Sequence, residues 1–341
     1  MTKVRTVEVY QCVACGASLA AAPGCEKLIC ASCRAAYPIK HGVLDTLGEP
    51  RADVERELRG IAIEQGYAED DWAAVKLRHL PEIQSIVETR FGCPERGIEP
   101  EPYYDQIWTN FLQACSHLPD FTNWRVLEIG AENDYPFLRF FRERQAQCFA
   151  VNIHFEYAEP DEYLEWPEKT LADMNQLPFA CSSFDLITLS ATTHHSPDLG
   201  RTIAEIARVL KPGGYALIIN DQVSGWIKHF AEFGGKAGRN ELIHENEYSV
   251  ALYHRLFKAH ALTPHYLFSA YHDNMLRRGV VRTNRFAALG RILSCVWKNT
   301  ALASLVKKRL LWPAHIVFGF PLNVVLQKHS ACGQASQREC R

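Results

Sequence analysis

The sequence predicts an α/β protein built on a doubly wound, mostly parallel sheet, with a small β-rich unit in front of it. Three observations carry this. From about residue 103 onward, apolar runs of strand length alternate with amphipathic helical segments, the pattern of a sheet covered by helices on both faces. Two of those runs, Phe184–Ser190 and Tyr215–Asn220, are nearly continuous in apolar side chains, as strands buried on both faces are. Residues 1 to 48, by contrast, are short β-prone pieces rich in Cys, Gly and Ala. The 341 residues suit one large domain plus a small one. A formal net charge of -2 leaves no global basic field for nucleic acid, and 47% hydrophobic residues exclude a wholly disordered chain.

The front unit is read from its cysteines. Cys12-Val13-Ala14-Cys15 and Cys30-Ala31-Ser32-Cys33 are two CxxC pairs with fourteen residues between them. Each pair puts two thiolates on one small turn, and two such turns complete a closed tetrahedral site for zinc. A closed site has no position for water, so its role is structural. No thioredoxin-like strand precedes either pair, which argues against redox use. Cys25 is a substitute ligand whose spacing fits less well. The N-terminal MTKVRTVEVY lacks the apolar core of a signal peptide, and no apolar run is long enough to span a membrane. The 12 cysteines therefore read as those of a reducing, cytoplasmic chain.

Residues 49–102 form an acidic helical linker segment. RADVERELRGIAIEQ and DWAAVKLRHLPEIQSIVETR are its two helical stretches, Pro81 interrupts the second, and FGCPERGIEPEP closes it with Gly and Pro. YYDQIWTNFLQACSHL opens the main domain, 103–330, as an amphipathic helix. Strands are expected at Arg125–Ile129, Cys148–Ile153, Thr170–Met174, Phe184–Ser190 and Tyr215–Asn220. Between the last two, Asp198–Leu210 places Leu199, Ile203, Ile206, Ala207 and Leu210 on one helical face, and Lys211-Pro212-Gly213-Gly214 stops the helix. A helix over Tyr248–His260, a strand over His265–Ala270, a basic helical insertion over 277–311 and a final strand over Leu322–Gln327 follow. The tail, 331–341, is polar and expected to fray.

Arg125-Val126-Leu127-Glu128-Ile129-Gly130-Ala131 is a strand running into a Gly turn, where a doubly wound sheet binds nucleotides. It resembles the first motif of class I S-adenosylmethionine-dependent methyltransferases. The resemblance implies a Rossmann-like fold, with Gly130 letting the cofactor approach the backbone and Glu128 near its amino-acid end. Glu132 and Asp134 stand where the family has glycines, and Asn133 tolerates the conformation needed there better than most residues. At the end of the second strand Asn152 replaces the family's acidic ribose ligand, keeping one acceptor but no charge. Ala172-Asp173-Met174-Asn175-Gln176-Leu177-Pro178-Phe179 with Ser183-Phe184-Asp185-Leu186-Ile187 closely resembles the family's adenine-side loop and fourth strand. It implies Asp173 as acceptor for the adenine amino group, Met174 against the ring and Ser190 beside the cofactor. Glu205-Ile206-Ala207-Arg208-Val209-Leu210-Lys211-Pro212-Gly213-Gly214 matches the family's helix and turn before the fifth strand. Together these motifs cover about residues 104–220. Over about residues 8–48 the front unit, ending in Tyr37-Pro38-Ile39-Lys40-His41-Gly42-Val43, resembles the zinc-ribbon activator subunits of tRNA and release-factor methyltransferases. The same ribbon type also precedes methyltransferase domains acting on ribosomal RNA, sugars and natural products.

Ser190-Ala191-Thr192-Thr193-His194-His195-Ser196-Pro197-Asp198 follows the fourth strand and would face the sulfonium. His194 or His195 could serve as a base near neutral pH, or one could simply pack and cap the next helix. Asp221, after the fifth strand, is a second candidate base. Adjacent histidines do not easily share one ion, so the pair is not read as a metal site. In the basic stretch 277–309, apolar helical faces are punctuated by Lys and Arg; it could cover the pocket, dock on the acidic segment, or lie on an anionic membrane or phosphate surface. Three functions remain open. The first is methyl transfer from S-adenosylmethionine to oxygen or nitrogen of a small-molecule or carrier-linked acceptor, such as a sugar or natural product. The second is RNA methylation, against which the near-neutral charge counts. The third is a non-catalytic binding protein with an altered cofactor loop. Oligomeric state is not legible.

Overall fold

The computed structural model describes residues 7–24, 26–131, 136–158, 166–225, 242–278, 301–305, 307 and 321–329. The front unit is a run of hairpins: β1 (Leu19–Ala21), β2 (Lys27–Cys30), β3 (Ala36–Lys40) and β4 (Val43–Asp45), each antiparallel to the next. The segment after it comprises α1 (Ala52–Glu64), α2 (Trp72–Val75), β5 (Leu77–His79) and α3 (Ile83–Phe91). The main domain opens with α4 (Pro102–Cys115) and continues through β6 (Arg125–Ile129), α5 (Pro136–Arg142), β7 (Gln147–Asn152), β8 (Phe155–Tyr157), β9 (Glu168–Leu171), β10 (Phe184–Ser190), α6 (Leu199–Val209) and β11 (Leu210–Asp221). It then adds β12 (Val223–Ser224), β13 (Tyr248–Ser249), α7 (Val250–Ala259), β14 (Leu262–Tyr266), α8 (Ala270–Arg278) and β15 (Leu322–Lys328).

The central sheet runs β4-β9-β7-β6-β10-β11-β15-β14, with every pair from β4 to β11 parallel and β15 antiparallel to both neighbours. Chain order reverses direction between β6 and β10, which makes that pair the switch point where a crevice opens beyond the strands' carboxyl ends. Side chains alternate between two cores. Leu127, Ile129, Ile187 and Ile218 face one cluster; Val126, Leu186 and Leu217 face the other, against Phe111 of α4 and Phe137 and Phe141 of α5.

The front unit is sewn into this sheet. β4 pairs in register with β9, Leu44 opposite Thr170, so hairpins and parallel strands form one hydrogen-bonded surface of eleven strands. Val9, Tyr10, Leu28 and Leu44 share a core cluster with Leu127, Phe149 and Phe184.

Several expected boundaries shift for identifiable reasons. The third parallel strand is Glu168–Leu171, not Thr170–Met174, because Asp173 accepts from the Asn175 N–H and turns the chain out of the sheet. The expected strand His265–Ala270 is Leu262–Tyr266, since Ser269 accepts from the His272 N–H and starts α8. The stretch 71–90 is broken: Leu77–His79 pairs in parallel with β8, which leaves only a short helix before it. Helix α6 buries Leu199, Ile203, Ile206, Ala207 and neighbouring Leu210, with Asp198 capping it by accepting from the Arg201 N–H. Most of the basic insertion 277–311 and the whole tail 331–341 lie outside the described residues. Among the described residues, no helix is long and apolar enough to cross a membrane.

Leu44 is fully buried where the hairpins meet the sheet. Leu44→Ala is expected to cost about 2–5 kcal/mol. Thermal unfolding followed by circular dichroism should remain one transition at a lower midpoint. A second transition unmoved by the substitution would show that the hairpins melt on their own.

Candidate active site and metal centre

The four predicted cysteines converge. One sulfur from each of Cys12, Cys15, Cys30 and Cys33 lies within 4.8 Å of the others. Cys12 and Cys33 are 3.5 Å apart at sulfur, Cys15 and Cys30 3.4 Å. The Cys33 and Ser32 backbone N–H groups both donate to the Cys30 sulfur at 3.4 Å. The Cys33 N–H chiefly, against some burial, draws the Cys30 thiol down to about 6. A cage of thiolates with N–H support suits zinc, whose bonds to sulfur are about 2.3 Å long. Cys25 lies outside the described residues.

A cavity of about 470 Å³ opens at the carboxyl edge of the parallel strands. It is the size of pockets that take nucleoside-scale ligands. Glu128, Gly130, Asn152, Asp173, Met174 and Ser190 all line it, together with His194 and His195; Asn133 lies outside the described residues. Gly130 has φ +72°, and a Cβ there would overlap the Thr192 side chain. Glycine is therefore dictated by the protein's own packing as well as by any ligand. Asn152 donates from Nδ2 to the Ala131 carbonyl at 2.9 Å and accepts from the Ile153 N–H at 2.8 Å. Its side chain thus ties the β6 turn to the end of β7, a structural duty added to its place on the cavity wall. Asp173 accepts from the Asn175 N–H at 2.8 Å and meets the Arg51 guanidinium at 2.8 Å.

The loop after β10 is held by Asp221, which has no exposed surface. Its carboxylate accepts from the backbone N–H groups of Thr192 at 3.2 Å, Thr193 at 2.7 Å and His194 at 3.1 Å, and from His194 Nδ1 at 3.0 Å. Burial alone would raise the Asp221 carboxyl, but the His194 ring and the Thr193 bonds outweigh it and hold it below its ordinary value. Asp221 stands behind the loop, is not among the residues that line the cavity, and meets it through the His194 ring. His195 makes the matching bond, Nδ1 to Glu57 Oε1 at 3.0 Å. Burial would lower His195, and the Glu57 hydrogen bond, with further charge from Glu57, Glu245 and Asp221, carries it above its ordinary value. Nearby, burial and then the Arg78 charge push the His154 imidazole down to about 4, which keeps it neutral.

The loop from Asp173 to Phe179 is clamped from two directions. Glu205 accepts from the Leu177 N–H, and Arg208 donates to the Leu177 and Phe179 carbonyls. From the other side Gln176 donates to the Val13 carbonyl inside the first CxxC turn, and Gln11 N–H donates to the Pro178 carbonyl. Lys211 pairs with Asp185, which also accepts from the Arg125 N–H at the head of β6. The matched motifs are thus joints of the sheet: one set fixes the loop from Asp173 to Phe179, and the other ties together the amino ends of β6 and β10.

Reading the sequence missed Arg51, Glu57 and Glu245. Glu57 had a signal: it sits between Val54 and Leu58 on the buried face of α1, and it is itself only 6% exposed. An acid on an apolar face needs a partner. Arg51 and Glu245 had none.

A mostly parallel sheet with a cavity at its switch point is the arrangement in which α/β folds bind nucleotides and cofactors. Residues 127–218, less than half of the chain, match the family model described as "Methyltransferase domain", and that segment carries the motifs of a class I S-adenosylmethionine-dependent methyltransferase domain. It is 38% identical over 180 residues to a polyketide synthase-nonribosomal peptide synthetase of Aspergillus clavatus, a match covering 46% of this chain and 4% of that one. It is 31% identical over 97 residues to the 27-O-demethylrifamycin SV methyltransferase of Amycolatopsis mediterranei, covering 26% and 36%. It is 26% identical over 124 residues to a ubiquinone/menaquinone biosynthesis C-methyltransferase of Bartonella bacilliformis, covering 33% and 47%. The matched segments thus span half or less of these curated relatives. The solved YcgJ protein of Bacillus subtilis superposes with a TM-score of 0.39 at 17% identity, over 66% of this chain and 99% of that one.

Asp221→Ala strips an acceptor from buried N–H groups and is expected to cost at least about 3 kcal/mol. A carboxyl held below its ordinary value stabilises fully above the unfolded value, near 4, and loses that contribution as pH falls through the lower folded value. The stability gap between wild type and Asp221→Ala, measured by denaturant melts, should therefore be constant near neutrality and close only below about pH 4.

Proposed function

We propose that this chain transfers the methyl group of S-adenosylmethionine to an oxygen or nitrogen of a small or carrier-linked acceptor bound in the 470 Å³ cavity. One observation carries the reading. Two imidazoles, each oriented through Nδ1 by a buried carboxylate, line the same cavity as the cofactor-side residues. Bound S-adenosylmethionine would supply a methyl group on a sulfonium, ready for in-line attack. Glu128, Gly130, Asp173 and Met174 would hold it, with Asn152 and Ser190 at the edge.

The protein's share is orientation and proton handling. An Nδ1–H donated to Asp221 or Glu57 leaves Nε2 of each ring as the lone-pair nitrogen. Such a nitrogen can take the proton of an acceptor hydroxyl or amine as the new bond forms. Holding acceptor and methyl donor together supplies much of the remaining effect. The names of two relatives, a demethylrifamycin and a quinone-pathway methyltransferase, support a small acceptor. The near-neutral charge of the chain supports it over RNA.

Calorimetric titration of the full chain with S-adenosylmethionine tests the cofactor half. Binding is expected in wild type and at least tenfold weaker in Asp173→Ala; no wild-type binding at millimolar cofactor would sink the proposal. Once an acceptor is found by screening, His195→Asn should lower kcat by about a hundredfold or more while leaving cofactor affinity intact.

A further inference from the structure

The residues facing the acceptor end of the cavity form a constellation of their own. A ring nitrogen of His194, one of His195 and a carboxylate oxygen of Glu245 lie within 4.8 Å of one another. All three line the cavity, and none belongs to the cysteine cage. Neighbouring histidines do not ordinarily reach one ion. Here Thr193–His195 is a 3-10 turn fixed by Asp221, and it brings the two rings to 4.2 Å between centroids. Both rings are braced in the way metal-bound imidazoles are. Nδ1 of His194 is engaged with Asp221 and Nδ1 of His195 with Glu57, each at 3.0 Å. With Nδ1 engaged by a carboxylate, Nε2 is the nitrogen left to bind an ion, and its donor strength is raised.

We infer that His194, His195 and Glu245 bind a divalent first-row transition ion whose remaining positions open into the cavity. Two imidazoles and one carboxylate favour manganese, iron, cobalt, nickel or zinc over magnesium or calcium, which prefer oxygen alone. Three protein ligands leave positions for the acceptor. The ion's role as acceptor ligand rests on the methyl-transfer reading above; its binding does not.

The chemistry then changes in one respect. An acceptor hydroxyl bound to the ion loses its proton to solvent, because the ion lowers its pKa. The oxygen forms a bond to the methyl carbon as the carbon–sulfur bond breaks, and that electron pair stays on sulfur. The products are a methyl ether and S-adenosylhomocysteine, and the ion keeps its charge. The histidines hold the ion in place of taking the proton themselves. The acceptor class that suits such a site carries a hydroxyl next to a second oxygen, so that both reach the ion.

Manganese titration of the full chain, read by the electron paramagnetic resonance signal of free Mn²⁺, tests this. The ion is a poor competitor for four thiolates, so the cysteine cage does not interfere. One Mn²⁺ per chain is expected in wild type, bound at least tenfold more weakly in Glu245→Gln and in His195→Asn, with bound zinc unchanged in both. Their S-adenosylmethionine titrations show whether the cavity survives. Wild type taking up no more Mn²⁺ than either variant would overturn the inference and leave direct proton transfer to the histidines standing. Mn²⁺ uptake without cofactor binding would keep the ion site and remove the methyl-transfer reading.

Discussion

The site depends on one buried carboxylate. Asp221 ends β11 with no exposed surface and is ringed by N–H donors from the turn after β10. Leaving a carboxylate in such a place is costly unless its lone pairs are filled. Here they are filled by the loop that must face the ligand, so the cost of burial fixes the loop's shape. The chain bends sharply to allow it. Ala191 and Asn220, which close the two neighbouring strands, both have positive φ, at 47° and 55°. Non-glycine residues hold that conformation only where their surroundings impose it. Asn220 is held by accepting from Gln106 of α4, and its N–H donates to Asn323 of β15.

The second constraint lies across the cavity. The loop from Asp173 to Phe179 is short, polar at its start and without a sheet partner of its own beyond a single bridge at Phe179. It keeps its place because Glu205 and Arg208 grip it from α6 while Val13 and Gln11 grip it from the hairpins. The residue between Gln11 and Val13 is Cys12, a member of the thiolate cage. An ion in that cage would therefore stiffen the backbone against which the loop from Asp173 to Phe179 rests. The continuous sheet through β4 and β9 adds a second route for the same stiffness.

Much of this was legible in the sequence, and the legible part has a common character. The cysteine cage, β6, β10 and α6 were readable because each is fixed by local spacing or by a run of apolar residues that only one element satisfies. What was not readable depends on contacts between distant segments. The stretch 51–65 reads as part of an acidic helical linker, yet Asp53, Val54, Glu57 and Ile61 line the cavity. Strand Leu77–His79 exists only because Phe155–Tyr157 lies beside it. Asn152 reads as a weakened ribose ligand, and sequence gives no hint that its amide is engaged with Ala131 and Ile153. Gly60 was the overlooked clue in α1. A glycine inside a helix costs about 1 kcal/mol against alanine, so it calls for a packing reason, and here a Cβ would press on Ile243.

That packing reason explains how the acceptor side is assembled. Gly60 lets α1 approach residues 242–243 closely, and three residues earlier on the same helix Glu57 bridges the segment that follows them to the loop after β10. One carboxylate oxygen of Glu57 meets His195, and the other accepts from the His244 N–H at 2.6 Å. The same carboxylate therefore orients an imidazole and anchors the segment that carries Glu245. Crowding several acids around one cavity is unfavourable by itself: burial first, then the Glu245 and Glu57 charges, push the nearby Glu64 carboxyl above its ordinary value. A fold that sought only stability would have replaced these acids with apolar side chains, which is often neutral or stabilising in a buried setting. Retaining them makes sense where the cavity must receive positive charge. The sulfonium of the cofactor brings one such charge, and a cation between His194, His195 and Glu245 would bring two more.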